Sequence, residues 1–308
     1  MKLVFLDAKT LGEDISLDRF SEFGEVEVYP STTTSQTLQR VKDADIVITN
    51  KVVIDSAIMK QTNLKLICVA ATGMNNIDLE FAKGQGIEVK NVAGYSTSSV
   101  VQLTFALALS LINNINHFDN YSKSKDGWLK SDVFTSFNPT FFDIKDKTWG
   151  IIGLGSIGSE VAKVASAFGA NIIYYSTSGK NQNSAYKRVE LEELLKTSDI
   201  VSIHAPLNKD TKNLINYTNL PLLNDSVVLL NLGRGGIINE NDLALFMDKS
   251  AIKVGVDVLE SEPIKKDNPL LTIKNKQNLI MTPHLAWASV ESRERLIEGI
   301  YQNIKENL

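Results

Sequence analysis

The stretch GIIGLGSIGSEVAKVASAFG, residues 150–169, constrains this chain more than any other. Gly153, Gly155 and Gly158 stand in a G-x-G-x-x-G spacing directly after an apolar strand and at the start of a helix, and the apolar run NIIYYS follows that helix. Strand, glycine turn, helix and second strand make a β–α–β unit, which requires a parallel sheet. Gly153 allows the tight turn, Gly155 lets a pyrophosphate approach the backbone, and Gly158 lets the helix pack closely. Ser156 and Ile157 open the helix, so their N–H groups belong to the N-terminus that faces the phosphates. The three glycines alone are weak evidence. With both strands and the helix around them, dinucleotide binding outweighs a purely structural turn.

The same alternation runs through the chain. LVFLDA, VEVYP, ADIVITN, LKLICVAAT and IEVKNV read as strands before residue 93, and TWGIIGLG, NIIYYS, DIVSIHAP, SVVLLNLG, KVGVDVL and NLIMTPH form a second series. Near-continuous apolar runs separated by helical patterns suit parallel strands covered on both faces, so the class is α/β. A chain of 308 residues with 43% hydrophobic content is expected to divide that series between two cores. Between them SSVVQLTFALALSLINNI is apolar on all sides and reads as a buried helix, and the stretch from His117 to Pro139 reads as polar. The spacing of Leu296, Ile297, Ile300, Tyr301 and Ile304 marks an amphipathic terminal helix whose docking site this pattern leaves open.

Charge and cysteine usage remove several function classes. A net charge of −4 with no basic block gives no support to a nucleic-acid or anionic-membrane partner. The start lacks a signal peptide's apolar segment and VVQLTFALALSLI is too short to span a bilayer, so a soluble, cytoplasmic protein is expected. Cys68 is the only cysteine, which excludes an internal disulfide or a cysteine metal cluster, and it reads as inert strand core. No metal site is expected.

Within LLNLGRGGI, residues 229–237, Arg234 is wedged between glycines at the end of a strand. Ligands bind outside the carboxyl ends of such strands, and a guanidinium is a planar fork matched to a carboxylate. Arg234 therefore reads as a clamp for an acid substrate, with Gly233, Gly235 and Gly236 clearing space. A structural ion pair is the competing reading. The arginines at 19, 40, 188, 293 and 295 lie in polar or helical-surface contexts and read as solvated.

The chain has three histidines. An alcohol or ketone dehydrogenase needs a proton donor and acceptor near neutral pH, which histidine supplies. His117 reads as solvated, and His204 as either a satisfied core residue or part of a cofactor wall. His284, in MTPHLAW, follows the last apolar strand and opens onto the same crevice as Arg234. Asp257 and Glu262, with Glu260 a weaker third, follow the strand before it. A carboxylate beside His284 orients the ring and holds its proton, although Glu260 and Glu262 read equally as solvated loop charges.

In order along the chain, GLGSIG, HAPL, NLGRGG, DVLESEP and TPHLAWAS resemble the D-isomer-specific 2-hydroxyacid dehydrogenase family, as do VAATGMNNIDLE and NVAGYSTSSVVQLTFALAL in the first half. NKV, VVQLTFALAL and PHLAWAS are similar to its glycerate dehydrogenase (hydroxypyruvate reductase) branch. The resemblance implies two Rossmann-like doubly wound parallel-sheet domains with the active site in the cleft between them. Residues 1–97 and 286–308 form the substrate domain, and 98–285 the cofactor domain. It makes Arg234 the carboxylate binder, His284 the acid/base, Glu262 its support and Asp257 a partner of the nicotinamide carboxamide. Backbone around Gly73 and Met74 helps hold the carboxylate, and Met74, Lys51 and Trp287 face the substrate's far end. His204, Pro206, Leu232 and Gly233 join the cofactor set. A homodimer formed through the region after residue 98 is implied, acting on hydroxypyruvate, glyoxylate or D-glycerate. A nucleotide-sensing binding protein of the C-terminal binding protein type, on the same fold, is the alternative.

Cofactor choice departs from the usual fingerprint. NAD-specific sites carry Asp or Glu about 20 residues past the first glycines, on the ribose hydroxyls. Here no acid occurs between Glu160 and Glu190, and Ser176 takes the acidic slot in NIIYYSTSGKN. Ser176, Thr177, Ser178 and Lys180 suit a phosphate, so both NAD(H) and NADP(H) are expected, with no arginine seen to clamp the latter.

Overall fold

The computed structural model describes residues 1–308, which form two compact units, 1–96 with 288–308 and 97–287. In chain order the first contains β1 (Lys2–Phe5), β2 (Glu25–Val28), α1 (Thr34–Val41), β3 (Ile46–Thr49), α2 (Ser56–Met59), β4 (Leu66–Val69), α3 (Leu79–Gln85) and β5 (Glu88–Asn91). The second contains α4 (Thr97–Ile112), α5 (Ile115–Lys123), β6 (Thr148–Ile152), α6 (Ser156–Ala167), β7 (Asn171–Tyr175), β8 (Lys187–Arg188), α7 (Leu191–Thr197), β9 (Ile200–Ile203), β10 (Val228–Asn231), α8 (Glu240–Met247), β11 (Lys253–Val256) and β12 (Leu279–Met281). The chain then re-enters the first unit with α9 (Val290–Glu306).

The first sheet is five parallel strands in the order β2-β1-β3-β4-β5. Every residue of IVIT in β3 and LICV in β4 is buried, as strands covered on both faces require. Cys68 is part of that core, and burial pushes its thiol up to about 12, which leaves it an unreactive packing residue. The terminal helix α9 lays Leu296, Ile300 and Ile304 inward. Gly299 lets it approach Val92, whose Cγ1 stands 2.5 Å from where a Cβ would sit. Arg293 reaches Asp14 at 2.8 Å and Arg19 reaches Glu298 at 2.6 Å, so these arginines fasten the helix instead of facing only solvent.

The second sheet is seven parallel strands in the order β12-β11-β10-β9-β6-β7-β8. Every run read as a strand forms one, and the two-residue edge strand β8 is an addition. The order reverses at β6, so the crevice beyond the carboxyl ends of β6 and β9 is the topological switch point where ligands bind in such sheets. α4 buries Phe105, Leu107, Ala108 and Leu111 against Trp149, Tyr174 and Leu230, as its all-round apolarity requires. The Trp149 indole N–H is satisfied by Ser202 Oγ at 2.9 Å. No single helix is long and apolar enough to cross a membrane. The segment after α5 differs from expectation: amid its polar residues it holds Trp128, Leu129, Val133, Phe134 and Phe137 out to solvent.

Candidate active site

The glycine turn behaves as its spacing demands, and each glycine has its own reason. Gly153 has φ 91° and backs onto Ala205, whose Cα lies 2.9 Å from a would-be Cβ. At Gly158 a Cβ would stand 2.3 Å from the Gly153 carbonyl oxygen, so this glycine brings helix and turn together. Gly155, the N-cap of α6, faces open space. The first turn of α6 carries no acidic side chain, so its orphan N–H groups and positive end are left for an anion. A cradle kept open by one glycine, at the end of a helix with an uncompensated positive pole, fits a dinucleotide pyrophosphate.

Two further polar groups line up with that fit. Ser176 is the first residue past β7, the position of the ribose slot in the fingerprint, and its hydroxyl is buried without a partner. Its loop folds back on the glycine turn, where Asn181 Nδ2 donates to the Leu154 carbonyl at 3.3 Å. His204, just past β9, has both ring nitrogens buried and unpartnered, which rules out the satisfied-core reading. Burial pushes its imidazole down to about 3, so it is neutral at physiological pH. Orphaned buried groups cost about 1–3 kcal/mol each unless something completes them, which a cofactor bound along this crevice would do. Of the other residues in this set, Pro206 caps its turn by accepting from the Thr211 hydroxyl at 2.7 Å. Leu232 is buried among the core residues packed around α4, and Lys180 is exposed.

Arg234 follows β10 and is exposed. Its Nη1 donates to the Gly233 carbonyl at 2.8 Å, and its own carbonyl accepts from Asn231 Nδ2 at 2.9 Å. No carboxylate lies within ion-pair distance, which removes the structural ion-pair reading and leaves the guanidinium its remaining donors. The neighbouring glycines have a different role from the one their spacing suggests. They do not clear room for a ligand: a Cβ on Gly233 would stand 2.8 Å from the Ala205 oxygen, and one on Gly235 would stand 1.9 Å from the Leu259 oxygen. Gly236 turns the chain at φ 78°. These glycines seat the turn against its own sheet, and Arg234 alone projects from it.

His284 Nδ1 and Glu262 Oε2 are 2.6 Å apart, a short charge-assisted contact when the ring is protonated. Glu262 is positioned in turn, since its Oε1 accepts from the Leu259 amide at 2.9 Å. The pairing fixes the ring and leaves Nε2 as the nitrogen for chemistry, a tautomer assignment that follows from the carboxylate's place. Glu260 takes no part; its amide donates to Glu240 at 2.6 Å.

Asp257 has a role that the sequence does not announce. Its carboxylate is 1% exposed. It accepts from Thr282 Oγ1 at 2.6 Å and from the amides of Leu285 and Ala286, each at 2.9 Å. The His284 amide donates to the Asp257 carbonyl at 2.9 Å as well. His284 therefore sits at φ 51°, a left-handed conformation that a non-glycine residue keeps only when its surroundings hold it. Burial pushes the Asp257 carboxyl up, while Thr282, the two amides and the facing His284 pull it back.

Three of the residues named for substrate, Lys51, Gly73 and Met74, belong to the first unit. There the buried Asp7 carboxylate shapes the loop after β3, accepting from the amides of Lys51 at 2.6 Å and Asn50 at 2.9 Å. Met74 packs on the core of that unit. Trp287 closes the second unit three residues after His284.

The chain is similar to known proteins over its whole length. The profile described as "D-isomer specific 2-hydroxyacid dehydrogenase, NAD binding domain" matches residues 105–286. A hydroxypyruvate reductase from Blautia hydrogenotrophica is 36% identical over 318 aligned positions, covering 100% of this chain and 97% of the relative. A glycerate dehydrogenase from Methylorubrum extorquens is 36% identical, covering 99% and 95%. Among solved structures, an acyclic imino acid reductase in complex with NADPH and D-Arg superposes with a TM-score of 0.86 at 29% identity, covering 99% of this chain and 96% of that one. A D-lactate dehydrogenase from Aquifex aeolicus, complexed with NAD and lactic acid, gives 0.84 at 25% identity, covering 99% and 94%. With a glycine cradle fitted to a dinucleotide, a carboxylate-backed histidine and whole-length relatives of this kind, the chain belongs to the D-isomer specific 2-hydroxyacid dehydrogenases, oxidoreductases acting on the CH–OH group of 2-hydroxy acids.

Proposed function

We propose that this enzyme reduces a short 2-oxo acid, hydroxypyruvate or glyoxylate, accepts both NADPH and NADH, and oxidises D-glycerate in the reverse direction. The observation that carries the reading is the Glu262–His284 contact of 2.6 Å, with Nε2 left for a substrate oxygen. The substrate range rests on the full-length hydroxypyruvate reductase and glycerate dehydrogenase relatives. When bound, the nicotinamide gives hydride to the carbonyl carbon or takes it back.

Around that transfer the chain supplies charge and protons. Arg234 binds the substrate carboxylate through the planar fork that its missing ion pair leaves available. Backbone amides at Gly73 and Met74 share that anion, and Lys51, Met74 and Trp287 meet the far end of the substrate. His284 Nε2 gives its proton to the oxygen as charge grows there, and Glu262 stabilises the charged ring beforehand. In oxidation the same nitrogen takes the proton. Asp257 fixes the His284 loop and offers what remains of its acceptor capacity to the nicotinamide amide. His204 is neutral and serves as cofactor wall. The full-length relatives are named a hydroxypyruvate reductase and a glycerate dehydrogenase, which favours turnover over a nucleotide sensor. A homodimer is part of the proposal, supported by the apolar side chains exposed after α5.

Steady-state reduction of hydroxypyruvate and glyoxylate by the purified protein tests this. Turnover is expected to drop about 10³-fold or more in His284→Ala. Glu262→Gln is expected to lower turnover about 10- to 100-fold, because an amide orients the ring and supports its charge less well than a carboxylate does. Equal activity of wild type and His284→Ala would refute the assignment.

A further inference from the structure

The loop that follows β7 contains no arginine, but the structure brings one to it. β8 pairs with β7 in parallel, with Tyr174 opposite Arg188. From there Arg188 Nη1 donates to the Gly179 carbonyl at 2.9 Å. The loop is a closed structure. The Gly179 amide donates to the Ser176 carbonyl at 3.1 Å, Gly179 turns at φ 68°, and the Asn183 amide donates to Tyr174 Oη at 3.0 Å. Asn181 ties the loop to Leu154, inside the glycine turn. Arg188 thus touches this loop at Gly179, three residues past the buried, unpartnered Ser176 hydroxyl. Neither Arg188 nor Lys180 is within ion-pair distance of a carboxylate, whereas the adjacent Lys187 is already paired with Glu193 at 2.8 Å.

We propose that Arg188, reaching in from the neighbouring edge strand, is the guanidinium that recognises the 2′-phosphate of NADP(H), with the Ser176 hydroxyl as its hydrogen-bonding partner at the ribose. This rests on the proposed use of NADPH and names the residue responsible. Three chemical facts favour it. A dianionic phosphate is matched by a fork of N–H donors that is permanently charged. One Arg188 donor is committed to Gly179, which holds the side chain in place and leaves the others free. No carboxylate in the loop repels the phosphate or competes for the arginine.

Calorimetric titration separates phosphate recognition from loop support without turnover. The probes are NADPH, NADH, and the two half-ligands 2′,5′-ADP and 5′-AMP, with wild type, Arg188→Gln, Arg188→Lys and Ser176→Asp. Thermal melting checks that each variant is folded, and Arg188→Lys, which keeps the charge, serves if Arg188→Gln is not. Wild type is expected to bind 2′,5′-ADP more tightly than 5′-AMP. Arg188→Gln should weaken NADPH and 2′,5′-ADP by about tenfold or more and leave NADH and 5′-AMP within about twofold. Arg188→Lys should fall between, and Ser176→Asp should reverse the preference. If Arg188→Gln weakens all four ligands equally, the residue only supports the loop and the proposal fails. It fails too if wild type prefers the phosphorylated ligands and Arg188→Gln keeps that preference, in which case NADPH use stands. Wild type that binds 2′,5′-ADP no better than 5′-AMP overturns the cofactor reading itself.

Discussion

At the scale of single residues the three histidines have three fates, and environment alone separates them. His117 is on the exposed side of α5, stacked on Tyr121 with centroids 6.4 Å apart. His284 shares a carboxylate. His204 is half-buried with both ring nitrogens shut off from solvent and unsatisfied, and this desolvation takes it from 6.5 down to about 3. Between those values the unfolded chain holds a proton that the folded chain does not. His204 leaves the pH dependence of stability flat above about pH 6.5, and as pH falls toward about 3 it lowers stability by up to about 1.4 kcal/mol per pH unit. Nucleotide-free protein unfolded in denaturant at a series of pH values from about 7.5 to about 4.5 checks this. His204→Leu is expected to flatten the acid-side decline by one proton's slope. An unchanged slope would place the decline in other groups.

At the scale of elements, the glycine turn and α6 separate fold from function along one short stretch. Alanine at Gly158 puts its Cβ 2.3 Å from the Gly153 carbonyl oxygen, which a backbone atom relieves only by moving the helix. A loss of stability of about 2 kcal/mol or more is expected. Alanine at Gly155 meets no atom within 4 Å, and its backbone φ of −84° suits any residue. Gly155→Ala should therefore unfold within about 1 kcal/mol of wild type and yet bind both NADH and NADPH at least about tenfold more weakly, because the methyl occupies the pyrophosphate's approach. Denaturation curves and nucleotide titrations on the two variants make the contrast. Two stable variants, or two that bind normally, would contradict it.

At the scale of the molecule, the segment after α5 leaves Phe134 87% and Phe137 77% exposed, along with Trp128 and Leu129. Exposed aromatics in such density call for a cover, and a second copy of the chain is the proposed one. Sedimentation at micromolar concentration is expected to show a dimer for wild type and a shift toward monomer for Phe134→Ser with Phe137→Ser. A wild-type monomer would reject the dimer, and an unshifted double variant would reject this segment as its interface. In the sequence this stretch reads as polar, since its aromatics show no period, and only the fold reveals that they have no core to enter. The alternation of apolar runs is different. It determined the α/β class, all eleven anticipated strands and the glycine turn, because each is encoded by neighbours in the chain and needs no distant partner. Arg234 and His284 stood out at the ends of strands, but the choice of Glu262 as the carboxylate beside His284 came only from the family resemblance, and the structure brings the two to 2.6 Å. Tertiary structure decided the rest. It made Asp257 the anchor that holds His284 left-handed, showed that the glycines around Arg234 pack against Ala205 and Leu259, and carried Arg188 from an edge strand to the Gly179 loop. Each of these depends on which strand lies beside which, and sheet order is set by packing over the whole unit, which no local pattern in the sequence records.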